Sequence, residues 1–214
     1  MKRNLLILSI ASFTIISSTH AQINKGATLI GGNVGGGTSN TETPGIADMK
    51  QRSLSAGLRF GKAVKENLIV GGMAYYTGNK WENILTSPSS AKQRNYSVGV
   101  FARKYRPIGN SGFYIFGTAS LSGGLLRNTD VYSPSSPDIK TKGTIVNLGV
   151  EPGISYAVNK WLQVETGLSE LLTLSYQHST TNLASGTRKA NSFNGNINIS
   201  GEVPLYLGLT ILLN

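Results

Sequence analysis

The chain contains no cysteine and only two histidines among its 214 residues. The absence of cysteine excludes a disulfide framework and any thiolate metal site. His20 and His178 are too few for a histidine-rich metal cluster, so transition-metal chemistry is not expected and no cofactor is predicted. Charged residues are also scarce, at 14% of the sequence, whereas glycine occurs 26 times. This composition corresponds to one domain rich in small residues.

Long hydrophobic runs are missing except near the N-terminus. The opening "MKRNLLILSIASFTIISSTHAQ" has a basic start, an apolar stretch from Leu5 to Ile16, and small residues up to Ala21. The apolar stretch is shorter than the roughly 20 residues that span a bilayer as a helix, and the pattern is typical of a secretory signal. We therefore predict a signal peptide at residues 1–21 and a single domain at residues 22–214. Loss of the two basic residues at the start lowers the formal charge from +10 to +8.

The remainder of the chain alternates between apolar and polar residues with a period of two, which predicts β-strands. In "SLSAGLRF", one face receives Leu54, Ala56, Leu58 and Phe60, and the other receives Ser53, Ser55, Gly57 and Arg59. Eight such segments occur, of which the first is rich in glycine and has no fixed phase. In the seventh, Glu170 falls on the apolar face, which either a bulge or an interface would explain. The sequence therefore predicts an all-β domain of eight strands.

The connections between these segments are alternately short and long. The short ones are "KAVKEN", "PIGNSG" and "VNK", and the long polar ones are "SNTETPGIADMK", "GNKWENILTSPSSAKQR", "RNTDVYSPSSPDIKTK" and "QHSTTNLASGTRKANS". This asymmetry predicts tight turns at one end of the sheet and mobile loops at the other. It is typical of an eight-stranded antiparallel up-and-down transmembrane β-barrel. A soluble lipocalin-like barrel is the alternative, but it would carry many charges along its strands, where charges are sparse here.

In a membrane barrel the apolar face of each strand meets lipid, so the polar face lines the lumen. Arg59 must point inward, because an arginine on the lipid side at mid-depth costs about 2–4 kcal/mol. Five charged residues share this inward phase: Arg59, Arg103, Glu151, Glu165 and Glu202. We hypothesise that the two arginines pair across the lumen with Glu165 and Glu151, since buried charges need partners.

The lumen of an eight-stranded barrel is just filled by side chains. Large residues share the inward phase with the charges: Met73, Tyr75, Phe101, Tyr114 and Phe116. The pattern favours a plugged lumen held by ion pairs, and the alternative is an ion-pair gate in a narrow, porin-like pore.

Aromatic residues cluster near both ends of the predicted strands. Near the short turns lie Phe60, Tyr105, Phe113, Tyr156 and Trp161, and near the long connections lie Tyr76, Trp81, Tyr96 and Tyr176. Two aromatic girdles are what the two interfaces of a bilayer favour.

With its signal, eight segments and alternating connections, the chain resembles the small outer-membrane β-barrel family that includes the OmpA and OmpX barrels. The resemblance implies location in the outer membrane of a Gram-negative cell envelope and a structural or surface-interaction role. The family carries an assembly signal in its last strand, and "YLGLTILLN" supplies Tyr206, Gly208, Ile211 and Leu213 at the corresponding positions. Recognition by the barrel-assembly machinery is implied, although aliphatic residues stand where the family has aromatic ones.

An enzymatic role is not expected. Some barrels of this size are lipid-modifying enzymes with a histidine and a serine on the lipid-facing wall, which is the alternative from another functional class. Here His178 and Ser179 are adjacent, whereas two catalytic residues on one face of a strand stand two positions apart.

The excess positive charge is concentrated in or beside the long connections. No nucleic-acid recognition motif accompanies it, so nucleic acid is not an expected partner. Attraction to the phosphates of lipopolysaccharide follows from electrostatics, and a solvated basic face is the equally simple explanation. The residues expected to contact lipopolysaccharide are Lys50, Arg52, Lys80, Lys92, Arg94, Lys140, Lys142, Arg188 and Lys189. The long connections also leave room for an extracellular partner.

Overall fold

The computed structural model describes residues 23–43, 46–82, 89–132, 138–168, 171–183, 185–197 and 205–213. The predicted signal peptide, Glu170 and Glu202 lie outside these residues, so the structure says nothing of them. Within the described part of the chain, the regular secondary structure consists of β-strands, and no helix there is long and apolar enough to cross a membrane.

Ten strands are recorded among the described residues. Their bounds are β1 Thr28–Thr43, β2 Ile46–Lys65, β3 Leu68–Glu82, β4 Ser90–Pro107, β5 Phe113–Val131, β6 Ile139–Ala157, β7 Leu162–Leu168, β8 Leu172–Leu183, β9 Gly186–Ile197 and β10 Leu205–Leu213. Every pairing between them is antiparallel.

The strands form a closed barrel with eight positions around its wall, each of which we call a stave. Two staves are each recorded as two strands. Strands β1 to β6 follow one another as an up-and-down meander, and both β7 and β8 pair with β6. The seventh predicted strand is therefore recorded in two parts, and the eighth likewise, with β9 on β8 and β10 on β7. The ring closes where β10 pairs with β1, from Thr28 opposite Leu213 to Val34 opposite Leu207. The predicted fold class, an eight-stranded antiparallel up-and-down barrel, is confirmed.

Alternation along the strands separates an apolar outer wall from a packed interior. Large apolar side chains stand exposed on the outside of most staves, among them Leu58, Val98, Leu121, Val146 and Leu207. The interior core lies towards the short turns and consists of Ile23, Ala27, Leu29, Ala63, Ile69, Phe101, Tyr105, Tyr114, Phe116, Tyr206 and Leu212. A soluble barrel would bury its apolar face and expose its polar one, which is the reverse of this arrangement.

The segment before β1 packs into the core at the short-turn end of the barrel. Ile23 is buried there, and Asn67 in the turn between β2 and β3 holds it with two hydrogen bonds. The backbone N–H of Ile23 donates to Asn67 Oδ1 over 3.2 Å, and the N–H of Asn67 donates to the carbonyl of Ile23 over 3.0 Å. Asn67 has a φ of 57°, a left-handed conformation that asparagine tolerates better than most residues.

Two inward glycines make room for aromatic rings inside the barrel. A Cβ atom at Gly153 would lie 2.3 Å from the ring of Phe116, and one at Gly57 would lie 2.4 Å from the ring of Tyr75. Glycine is therefore needed at both positions for the rings to pack flat against the wall.

The long connections contain much less loop than expected. Strand β1 extends to Thr43 and β2 begins at Ile46, while β8 extends to Leu183 and β9 begins at Gly186. A strand needs roughly 9–11 residues to cross a bilayer, yet β2, β5 and β6 have 20, 19 and 19 residues. The prediction of loops for these described residues is wrong, because polar strands pair through their backbones without needing an apolar face.

Most residues of the two predicted aromatic girdles face outward, but the strand register places Tyr105 and Trp81 on the inward face. Phe60, Phe113, Tyr156 and Trp161 stand exposed on the outside, as predicted, but Tyr105 is 1% exposed and points inward. At the other end, Tyr76, Tyr96 and Tyr176 face outward. Trp81 lies opposite Gln51 and Ala91 on the inward side. Phe193, opposite Tyr176, adds an exposed ring that the sequence analysis missed.

Candidate functional site

Four charged residues from four different strands meet in the lumen. Arg59 on β2 approaches Glu151 on β6 with an Nη2–Oε2 distance of 2.5 Å. Arg103 on β4 approaches Glu165 on β7 with an Nη1–Oε2 distance of 2.6 Å. The two pairs are linked, because Arg59 Nη1 lies 3.6 Å from Glu165 Oε1. We call Arg59, Arg103, Glu151 and Glu165 the lumen network.

Neutral groups complete the coordination of the lumen network. The guanidinium of Arg103 donates to Thr118 Oγ1 over 2.8 Å and to the hydroxyl of Tyr105 over 3.3 Å. The hydroxyl of Thr210 donates to Glu165 Oε2 over 3.1 Å. Hydrogen bonds of this kind offset part of the cost of taking charges out of water. The network is therefore connected to β5 and β10 as well as to the strands that carry the charges.

Aromatic rings enclose both guanidinium groups. Arg103 Cζ lies 4.2 Å from the centroid of the Phe116 ring. Arg59 Cζ lies 5.4 Å from the centroid of Tyr75 and 5.8 Å from that of Tyr206. Contacts of a cation with a ring face at these distances are attractive, most of all where water is excluded. The rings also supply the bulk that fills the space around the charges.

The structure thus brings together four of the five charges that share the inward phase, and Glu202 lies outside the described residues. Three partners were missed: Tyr105, Thr118 and Thr210. Tyr105 could have been found, because it shares the inward phase of Arg103 on β4, and Thr118 takes the inward phase of the neighbouring strand β5. Among the large inward residues, Phe101, Tyr114 and Phe116 are buried, and Met73 packs partly buried against the core.

Basic residues occupy the outer wall beyond the apolar surface. On β4 the outward residues change from Tyr96 to Arg94 within two positions, and on β5 from Leu125 to Arg127. Nine exposed, outward-facing cations form what we call the outer cationic belt: Lys50, Arg52, Lys80, Lys92, Arg94, Arg127, Lys140, Lys142 and Lys189. All lie within strands, where the sequence analysis expected loops and loop edges.

Like charges stand directly opposite one another across strands of this belt. Arg52 pairs with Lys80, and Lys80 pairs with Lys92. One step along the strands, Arg94 pairs with Arg127, which pairs in turn with Lys142. Directly opposed like charges destabilise a sheet. The arrangement therefore favours an anion between the side chains.

Glu82 is paired with the belt. The ammonium of Lys80 donates a hydrogen bond to the carboxylate of Glu82, and this bond lowers the pKa of Glu82. Arg188 does not join the belt, because it lies opposite Thr181 on the inward side of β9. Its expected contact with lipopolysaccharide does not fit this orientation, since an inward side chain faces away from lipid.

His178 and Ser179 lie on opposite faces of β8, so the structure does not bring them together. His178 faces outward opposite Thr144, and its Nδ1 lies 2.6 Å from Oδ1 of Asn191 on β9. Ser179 lies opposite Gly143 on the inward side. Among the residues that the structure describes, no group of three or more metal-ligating side chains gathers at one point.

The residues of the expected assembly signal all lie in β10. Tyr206 and Gly208 face inward, and Gly208 leaves space for Glu165, whose Cγ would lie 3.0 Å from a Cβ there. Ile211 and Leu213 face outward, with Leu213 49% exposed at the end of the seam with β1.

An apolar outer wall and a closed ring of eight antiparallel staves define an outer-membrane β-barrel protein. A family model, the autotransporter beta-domain, matches residues 30–166, which is more than half of the sequence. The chain belongs to the autotransporter beta-domain family, and its location is the outer membrane. No curated protein matches it.

Solved structures with similar folds are outer-membrane barrels. The outer membrane protein OprG from Pseudomonas aeruginosa is 15% identical with a TM-score of 0.50, over 91% of this chain and 99% of that one. Neisserial surface protein A is 21% identical with a TM-score of 0.40, over 87% and 99%. The translocator domain of autotransporter NalP from Neisseria meningitidis is 19% identical with a TM-score of 0.43, over 90% and 65%. The expected likeness to small outer-membrane barrels is confirmed.

Proposed function

We propose that the protein is a closed, non-conducting barrel with a structural and surface-interaction role rather than a catalytic or channel role. The observation that carries this proposal is the burial of the lumen network. Arg59, Arg103 and Glu165 are 5%, 0% and 2% exposed, although they sit on three different strands around the lumen. This burial supports a lumen in which side chains, and not a continuous water path, fill the space at the level of the charges.

A second closed layer lies on the short-turn side of the network. Ile23, Leu29, Ile69 and Leu212 are each at most 6% exposed, and they pack with Phe101 in the same core. An ion that passed the charges would meet an apolar layer that offers it no coordination. Two successive barriers of different chemistry support a plug rather than a gate.

Conductance in planar lipid bilayers tests this proposal. The wild-type protein, refolded in detergent and shown to be folded by its gel mobility with and without boiling, should give no steps above the bilayer baseline. The matched variant Gly117→Ala, changed at an outward glycine with open space around it, should be equally silent. Stable conductance steps from wild-type protein would make the narrow-pore alternative the correct one.

We further propose that the outer cationic belt binds lipopolysaccharide through its phosphates. Strand by strand, the belt follows the last apolar or aromatic outward residues, which is where a lipid layer gives way to its charged head groups. The opposed like charges of the belt are relieved by phosphate, and a merely solvated basic face has no reason to align them.

Removal of belt charge tests the lipid proposal. The fourfold variant Lys92→Gln, Arg94→Gln, Arg127→Gln and Lys142→Gln should retain its folded gel mobility but co-purify with much less lipopolysaccharide. A control that removes Lys62 and Lys104, which lie towards the short-turn end of β2 and β4, should retain the wild-type amount. Equal retention by both variants would rule out binding by the belt.

A further inference from the structure

We propose that a groove over Gly78 on the outer wall is a defined subsite for one phosphate group of lipopolysaccharide. This inference rests on the proposed binding by the outer cationic belt and narrows it to one place. The groove has a volume of about 200 Å³ and spans β2, β3 and β4. We call it the Gly78 groove.

The Gly78 groove exists because one outward position lacks a side chain. Gly78 lies directly between Leu54 on β2 and Arg94 on β4. The ring of Tyr76 borders the gap, and its hydroxyl would lie 2.7 Å from a Cβ atom at Gly78. The hydroxyl end of the Tyr76 ring therefore lies over the backbone of Gly78, next to the apolar Leu54. A hydroxyl in this place can donate a hydrogen bond to a phosphate oxygen.

Four cations line the same groove. They are Arg52 on β2, Lys80 on β3, and Lys92 and Arg94 on β4. Lys80 is engaged by Glu82, whose carboxylate also attracts Arg52. Arginine binds phosphate through two parallel hydrogen bonds, which gives such a site geometric specificity as well as charge.

The surroundings of the groove favour a lipid-borne phosphate over a free one. Below it, towards the short turns, Tyr76 and Tyr96 pack with ring centroids 5.1 Å apart. Beyond these rings, exposed Leu58 and Val98 continue the apolar wall. A ligand that joins a phosphate to acyl chains would contact both zones at once, whereas inorganic phosphate would contact only the upper one.

Two pairs of matched variants test the subsite. Arg94→Gln removes a cation that lines the groove. Arg127→Gln removes the arginine directly opposite Arg94 on β5, and Arg127 does not line the groove. Gly78→Val puts a side chain where the Tyr76 hydroxyl lies and so changes the groove without changing charge, and Gly123→Val places the same side chain at an outward glycine with nothing within 4 Å. Affinity for purified lipopolysaccharide is measured by titration of each full-length protein in neutral detergent micelles, after folding is checked by gel mobility.

We expect Arg94→Gln and Gly78→Val each to weaken binding by about tenfold or more, which is the scale of one charge-assisted hydrogen bond. Arg127→Gln should weaken it by less than about threefold, as expected for a diffuse charge, and Gly123→Val should leave it unchanged. If Gly78→Val fails to fold, Tyr76→Phe replaces it and should weaken binding by removing the hydroxyl alone.

The outcomes distinguish failure of the subsite proposal from failure of the proposal that the outer cationic belt binds lipopolysaccharide. Equal weakening by Arg94→Gln and Arg127→Gln, with no effect of filling the groove, would overturn the subsite while leaving the belt in place. No weakening by either charge variant would overturn both proposals. Dephosphorylated lipopolysaccharide should bind wild-type protein no better than it binds Arg94→Gln. Binding of inorganic phosphate or phosphatidylglycerol vesicles as tightly as lipopolysaccharide would overturn the assignment to this lipid.

Discussion

The two halves of the barrel use the same residue type in opposite ways. Towards the short turns, Arg59 and Arg103 lie inside the lumen, paired with carboxylates and enclosed by rings. Towards the long connections, Arg94 and Arg127 stand exposed on the outer wall, directly opposite each other. In both halves, successive side chains alternate between the inner and the outer face of each strand. What differs is the medium outside, since hydrocarbon excludes the charge from one half and charged head groups or water accept it in the other.

The sharpest way to break this comparison is to remove the carboxylate shared by the inner arginines. Glu165→Gln should lower the free energy of unfolding in detergent micelles by about 3–5 kcal/mol, because Arg103 then stays buried without its charged partner. Denaturant titration followed by gel mobility measures the loss. Glu151→Gln is the control and should cost less, since its side chain is 16% exposed and Arg59 still has Glu165 at 3.6 Å. Similar stability of both variants and wild type would refute a structural role for the lumen network.

Addition of a methyl group should destabilise the barrel at an inward glycine but not at an outward one. Gly153→Ala should lower the free energy of unfolding by about 1–3 kcal/mol, because the new Cβ overlaps the ring of Phe116. Gly117→Ala, at an outward glycine on β5 with open space around it, should be close to neutral in the same denaturant titration. A larger loss at Gly117 than at Gly153 would contradict the assignment of the two faces.

Removal of an outer arginine should stabilise the barrel slightly, whereas the inward substitutions above destabilise it. In micelles free of lipopolysaccharide, Arg127→Gln should raise the free energy of unfolding by about 0.2–1 kcal/mol, because it relieves repulsion from Arg94 and Lys142. The gain should vanish at about 1 M salt, where charges are screened within a few ångströms. Lys62→Gln is the control, since Lys62 lies between Thr28 and Val70, and it should change nothing. A salt-independent gain would show that repulsion is not its cause.

The smallest expected effect concerns Glu82. Its carboxylate holds Lys80, so Glu82→Gln should strengthen binding of lipopolysaccharide by up to about threefold, the value of an exposed ion pair. Because the Lys80 hydrogen bond lowers the pKa of Glu82, the carboxylate stays ionised from pH 7 to pH 5. The difference between wild type and variant should therefore be constant over that range and should disappear only in acid stronger than that which protonates an ordinary glutamate. Glu66→Gln, at the opposite end of the barrel, serves as the control, and a difference that closes between pH 7 and pH 5 would contradict the pKa direction.

The sequence predicts the faces of the strands better than their ends. Alternation fixes the inward phase of Arg59, Arg103, Glu151 and Glu165, because a strand that buries one residue must bury every second one. The same counting places Tyr105 beside Arg103. Tyr105 was assigned to the outer girdle because it lies near the short-turn end of β4, but its alternation with its neighbours places it on the inward face.

The ends of the strands were not predictable in the same way. Residues such as those of "QHSTTNLASGTRKANS" lack an apolar face, yet β8 and β9 pair through them from Gln177 opposite Ser192 to Leu183 opposite Gly186. Backbone hydrogen bonds hold such extensions, and side-chain periodicity does not report them. The Gly78 groove was equally hidden, because it depends on which residues of three strands come into register.

The seam between β1 and β10 has a consequence for how fast the barrel forms. It pairs residues from the two ends of the described chain, Thr28 with Leu213, so it closes the longest loop in the fold. Every other neighbouring pair of staves is joined locally, which makes the seam the contact with the greatest loop-closure entropy. Folding is slow when such distant contacts are required. Closure of that seam is therefore expected to be the pairing with the highest entropic cost in forming the barrel.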